Sequence, residues 1–479
     1  LDVIMRKLLL STIALTFVAQ AALAAEVSVP AATGGADITV YNSDLAMVRE
    51  RRSFRLPAAS AQLAFAGVSR NMQPETALLD VPKGDPVKVT EQSFSFGVIS
   101  PQNLLQQSVG RDVTVISTNP ATGKDLAQRA KVLSVDQGVV LDIDGKIHTT
   151  VPGRIVYDSL PPGLRATPTL VMNVTGPANK DTDAEFSYLT SGLSWRADYV
   201  VQYDSDAARM DLAAWATITN TTGVDFNNAR LKLVAGDVNR VARPVPPRVL
   251  RQEMMTMQAK SADASMAEGV SQQTLDANHM YSISKAVTLA DKESKQLALL
   301  NGSGIAVRRE LIVRNEQPYI YQQPMQGQPQ ETRAEAELIF KNDTAAKLGT
   351  ALPAGTVRVY SPDEQGAPQF VGEAMIDHVA VGSDVRVKLG KEFDVPVTRE
   401  QTNFVRASDT ITISVWKITV RNAKARPIKV RLIEPMPASW EITKETAPHT
   451  NPTAGSVEWL LDVPAKGQTV LEYNVKSTF

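Results

Sequence analysis

No cysteine occurs among the 479 residues. That excludes disulfides, thiol chemistry and anchoring through an acylated thiol, and leaves burial to hold the fold in an oxidising compartment. Histidine is scarce, with four copies, and aromatics make up 6%. Neither charge sign dominates: 50 Lys plus Arg stand against 51 Asp plus Glu, so no global field steers the chain toward nucleic acid or an anionic membrane. Phosphate-cradling glycine loops and Gly-x-Ser-x-Gly are missing, and Ser-x-x-Lys occurs at Ser282/Lys285 and Ser414/Lys417 without companion motifs. Beyond the N-terminal segment no apolar run is long enough to span a membrane as a helix, and no clear short-period repeat is present.

What is present is strand text. From Leu193 the apolar positions Leu193, Trp195, Ala197, Tyr199, Val201 and Tyr203 alternate with polar Ser194, Arg196, Asp198 and Gln202, which predicts a long strand with one buried face. The pattern resumes at Leu212, Ala214, Ala216 and Ile218, stops at Asn220-Thr221-Thr222-Gly223, and returns through Leu231, Leu233 and Ala235, the rhythm of an antiparallel three-strand meander. The fold class expected is mainly β: several antiparallel β-sandwich domains, a small SH3-like barrel and a mobile insert.

The domain layout follows from punctuation. Residues 1–24 read as a cleaved signal peptide, with Arg6 and Lys7 before the apolar stretch Leu8 to Ala19 and small residues at Ala22-Leu23-Ala24. Short strands separated by Asn, Asp, Pro and Gly make 25–95 an N-terminal β-domain. Five strand-like runs, two of them joined by the hairpin signal Asp144-Gly145, make 96–165 the SH3-like barrel. Residues 166–245 and 285–395 form a central sandwich, 246–284 the insert rich in Ala, Ser, Gln and Met, and 396–479 an immunoglobulin-like module.

The run Tyr188 to Tyr199, with Asn220-Thr221-Thr222-Gly223 and Leu231 to Gly236, resembles a bacterial family of unknown function that includes mucoidy inhibitor A-like proteins. Val40-Tyr41-Asn42 with Leu45 to Glu50 resembles its opening strand, and Pro353 to Tyr360 with Gly372-Glu373 through Asp377-His378 its later segment. The resemblance implies β-rich envelope proteins without an established activity. Two departures stand out: no sustained heptads replace the coiled coil of several relatives, and Asp377-His378-Val379-Ala380 stands where the family usually has Asp-His-Thr-Pro.

Candidate sites are few. Glu373, Asp377 and His378 form the densest polar cluster; carboxylate and imidazole suit zinc, but on a strand His378 faces away from the two acids, so a hydrogen-bonded strand end is the preferred reading. Met254, Met255 and Met257 are soft donors suited to Cu(I), or transient packing groups; no metal and no cofactor is assigned. Trp215, on the face opposite Leu212 and Ile218, is the tryptophan most suited to stacking on a ligand. The function expected is an exported, non-catalytic protein of the cell envelope, periplasmic or at the cell surface, binding a protein or polysaccharide partner and no nucleic acid. The alternative is an enzyme hydrolysing envelope carbohydrate.

Overall fold

The computed structural model describes residues 26–478 apart from 33, 83, 85, 96, 137, 162, 237, 239–268, 276–277, 316–320 and 322. The expected signal peptide, 1–24, lies outside the described residues. Strands take 65% of the described residues, and the only helix among them is Pro101–Gln107. The fold is therefore mainly β and built of several sheets, as the alternation predicts. No helix among the described residues is long and apolar enough to cross a membrane. The chain divides into two compact units, Leu1–Gly34 with Arg49–Tyr188 and Gly35–Val48 with Leu189–Phe479.

In the first unit a four-stranded sheet runs in the order Glu26–Val29, Ser60–Ala66, Thr169–Thr175 and Lys88–Ser95. Thr169–Thr175, assigned by sequence to the central sandwich, is thus an inner strand here. A second sheet orders Lys146–His148, Val140–Ile143, Asp125–Ser134, Asp112–Thr118 and Arg154–Val156. Asp144 and Gly145 both adopt positive φ (53° and 74°) at its tight hairpin, as the Asp-Gly signal predicts. The SH3-like barrel is corrected, however: this sheet stays open. Its two edge strands have three residues each, too few to pair across the gap, and Ile147 on one of them is left 61% exposed. A core of Val113, Val115, Val132, Leu141 and Ile143 lies on one side only.

Three sheets build the second unit. A five-stranded sheet runs Glu293–Ala306, Arg209–Asn220, Leu193–Asp204, Gly355–Pro362, Pro368–Ile376. Its inner face carries the predicted apolar row from Leu193 to Tyr203, all buried. The Trp195 indole on that face donates to the Val234 carbonyl (3.0 Å) and packs edge-on to Tyr281 (6.1 Å). Val234 belongs to Phe226–Ala235, which pairs with Asn278–Ile283 and, in parallel, with Asp37–Tyr41. The predicted meander is therefore corrected in its third member, which leaves for the facing sheet after the turn at Asn220. The insert is corrected at its C-terminal end: Val270–Leu275 and Asn278–Ile283 pair antiparallel, because Tyr281 is wholly buried and its hydroxyl donates to Ala351 O (2.8 Å). A nine-stranded sheet completes the unit. Its 23-residue strand Asp384–Arg406 runs through position 396, pairing with Gln330–Lys341 from Asp384 to Arg399 and with Ile411–Asn422 from Val397 to Arg406. A module boundary at 396 therefore falls inside a strand.

Candidate functional site

The outer face of the five-stranded sheet gathers what the sequence scatters. Alternation turns Arg196, Asp198, Val200 and Gln202 outward, and the register sets Trp215 opposite Asp198 and Thr217 opposite Arg196. On the other flank Thr356 and Arg358 pair in parallel with Asp198 and Val200, and Met375 and Glu373 stand opposite Thr356 and Arg358. Gly355 makes this parallel pairing feasible, since a Cβ there would lie 2.2 Å from the Ala197 carbonyl oxygen. The missing side chain at 355 thus lets the two backbones close up, with Asp198 and Thr356 side by side.

Asp198 is the hub. It is only 4% exposed, and a buried carboxylate must be paired to be tolerated. Thr217 Oγ1 donates to Oδ2 (2.6 Å), Arg358 Nη1 donates to Oδ1 (3.1 Å), and Arg196 Nε lies 3.2 Å from Oδ2. Gln296 Nε2 in turn donates to Thr217 Oγ1 (3.1 Å), and Arg358 Nε approaches Glu373 at 3.3 Å. Burial pushes the Asp198 carboxyl up, but hydrogen bonds from Thr217 and Arg358 and the two guanidinium charges outweigh it and hold it below the usual carboxylate range. A folded value below the unfolded one means that the unfolded chain binds more protons in the window between them. The contribution of Asp198 is then fully present above about pH 4, its unfolded value, and is lost as pH falls through the folded value. Melting midpoints followed downward from pH 6 should drop below about pH 4, and Asp198→Asn should flatten part of that slope; an unchanged slope would count against the hub.

Two of the sequence candidates share this face. Trp215 is 36% exposed beside the Asp198 network, and Glu373 is its outermost member. Phe370 and Met375, 56% and 74% exposed, line the outer strand; the Phe370 ring meets Tyr360 edge-on at 5.7 Å. The other two candidates fall elsewhere. Asp377 and His378 follow the end of Pro368–Ile376 and are exposed, and His378 Nδ1 accepts from the Ala354 backbone N–H (3.1 Å). No three metal-competent side chains converge among the described residues. Met254, Met255 and Met257 lie outside the described residues. Sequence reasoning missed Asp198, Arg196 and Arg358, because Arg358 is 160 residues from its partner and nothing local signals the pairing.

Residues 184–479 match the model of a family described as a domain of unknown function, DUF4139. Comparison with curated proteins gives no match.

Proposed function

This chain belongs to the DUF4139 family, and we propose that it is an exported, non-catalytic protein of the bacterial cell envelope that binds a glycan or protein partner through the outer face of its five-stranded sheet. The observation that carries the reading is the exposed indole of Trp215 set beside two guanidinium groups that Asp198 holds in place from beneath. Such an array is pre-organised, so a partner that docks on it spends little further ordering entropy. The resemblance to mucoidy inhibitor A-like proteins and the export pattern of residues 1–24 support the envelope, in the periplasm or at the cell surface.

Binding is favoured over hydrolysis by the state of the acids. Glycoside cleavage asks for a carboxyl held protonated near neutral pH. Asp198 is held in the opposite direction, and Glu434, whose carboxyl burial pushes up, is sealed in a core.

Trp215→Ala tests the reading. Separated polysaccharide and protein fractions of the envelope are passed over immobilised wild-type and variant chains. Capture by the wild type should weaken by at least about tenfold in the variant, the size of an interfacial aromatic anchor, with the melting midpoint unchanged because the ring lies outside the core. Recovery of nothing from either fraction, together with turnover of a small saccharide, would move the protein to the enzyme class.

A further inference from the structure

At one end of the same face the sheet opens into a cleft of about 410 Å³. It lies between the hairpin that joins Leu193–Asp204 to Arg209–Asn220 and the turn that joins Gly355–Pro362 to Pro368–Ile376. Tyr360 forms a wall, its ring fixed by the edge-on contact with Phe370. The Gln202 amide and the Ser361 hydroxyl also line it, and neither is hydrogen-bonded to the described protein. Asp204 Oδ1 accepts from the backbone of Asp206 and Ala207 (both 2.9 Å), and Asp211 Oδ1 from Gly304 (2.8 Å); each carboxylate keeps its second oxygen unclaimed among the described residues. Arg209 Nη1 is tied to the Gly304 carbonyl (2.9 Å).

We infer that this cleft receives the end of a neutral oligosaccharide whose chain continues along the sheet to Trp215. The inference rests on the binding reading of this face and names its ligand. A ring wall beside an unengaged amide, hydroxyl and carboxylate oxygens offers donors and acceptors around an apolar plane, which matches a sugar ring with its apolar face and its girdle of hydroxyls. The carboxylates of Asp204 and Asp211 are balanced by Arg209 and by Lys347, whose Nζ lies 3.6 Å from where a Cβ of Gly304 would stand, so no net charge draws an acidic sugar. Gln202 lies four residues along the strand from Asp198, the partner of Trp215, a separation of about 13 Å at the strand's rise per residue. A single sugar cannot touch both places, and a short chain can.

Isothermal titration of the whole protein with maltotetraose, cellotetraose and tetra-N-acetylchitotetraose, alongside glucose, N-acetylglucosamine and tetragalacturonate, tests it. At least one neutral tetramer should bind, and tetragalacturonate should bind more weakly than that tetramer. The double variant Gln202→Ala/Ser361→Ala should weaken the tetramer by about tenfold or more, two lost hydrogen bonds, with an unchanged melting midpoint. Trp215→Ala should weaken the tetramer and leave its monosaccharide as it was. Failure of every neutral tetramer, insensitivity to the cleft variants, or preference for tetragalacturonate would each overturn the inference. If an envelope partner is nevertheless captured in a Trp215-dependent way, the binding face stands and only the cleft assignment falls; if neither is seen, both fall.

Discussion

Glu434→Ala should destabilise the second unit by about 3–5 kcal/mol, the toll of stripping one partner from a buried ion pair. Glu434 is 1% exposed and Arg399 6%. Arg399 Nη2 donates to Glu434 Oε2 (2.7 Å), which also accepts from Asn315 Nδ2 (3.0 Å) and the Tyr321 hydroxyl (3.2 Å). The guanidinium lies 4.3 Å over the Trp416 ring, and Nη2 also reaches the Tyr473 hydroxyl (3.3 Å). Burial pushes the Glu434 carboxyl up and the neighbouring Arg399 charge opposes it. Once the carboxylate is gone, a cation that already has Nε and Nη1 without partners among the described residues is left with nothing to neutralise it. Arg399→Met/Glu434→Leu removes both charges and refills the space, and should cost far less than Glu434→Ala alone. Urea unfolding of the three proteins decides: a double variant as unstable as the single one would show that the loss is one of shape rather than of charge.

That ion pair marks where sequence reasoning stops. Alternation from Leu193 to Ile218 specified two strands and their buried face, since a period of two admits no other arrangement. It also placed Trp215 outward. It could not tell that Asp198, written like any solvated position between Arg196 and Val200, is buried, because its cover comes from Arg358 on a strand far along the chain. Glu434 reads likewise as an ordinary strand acid in Ile428–Pro435. Asn220-Thr221-Thr222-Gly223 was legible as a turn, but which sheet the next strand joins depends on the asparagine side chain, and that is a tertiary fact.

Asn220→Asp should be worse than Asn220→Ala, although aspartate is nearly isosteric with asparagine. Asn220 ends a strand and is fully buried. Its Nδ2 donates to the carbonyls of Val224 (2.9 Å), Leu289 (3.1 Å) and Ala290 (3.1 Å), and its Oδ1 accepts from the Thr222 backbone (3.0 Å) and hydroxyl (2.8 Å). Asn422, at the end of Ile411–Asn422, repeats this almost atom for atom: Nδ2 reaches Arg426, Val463 and Pro464, and Oδ1 takes the Lys424 N–H. Asn342 follows Gln330–Lys341 and clasps Thr350, Val379 and Ala380. In each case the remote turn has a left-handed residue two places beyond its second clasped carbonyl, at Lys292, Lys466 and Gly382. Among its described residues the unit thus shows three copies of one corner, in which an amide locks a strand end to a distant turn. The sequence shows no repeat because only the asparagine and its backbone partners recur. Alanine at 220 orphans several buried groups at about 1–3 kcal/mol each where water cannot reach them, and should cost more than about 3 kcal/mol. Aspartate keeps the shape, loses the donors, and sets a charged oxygen against carbonyl oxygens in a buried place, which adds an unpaired charge to the same losses. At pH 7 the order of unfolding midpoints should therefore be wild type, then Asn220→Ala, then Asn220→Asp. An aspartate variant that melts with the wild type would mean that the corner is held by shape, and the clasp would lose its role in turning the chain from one sheet to the next.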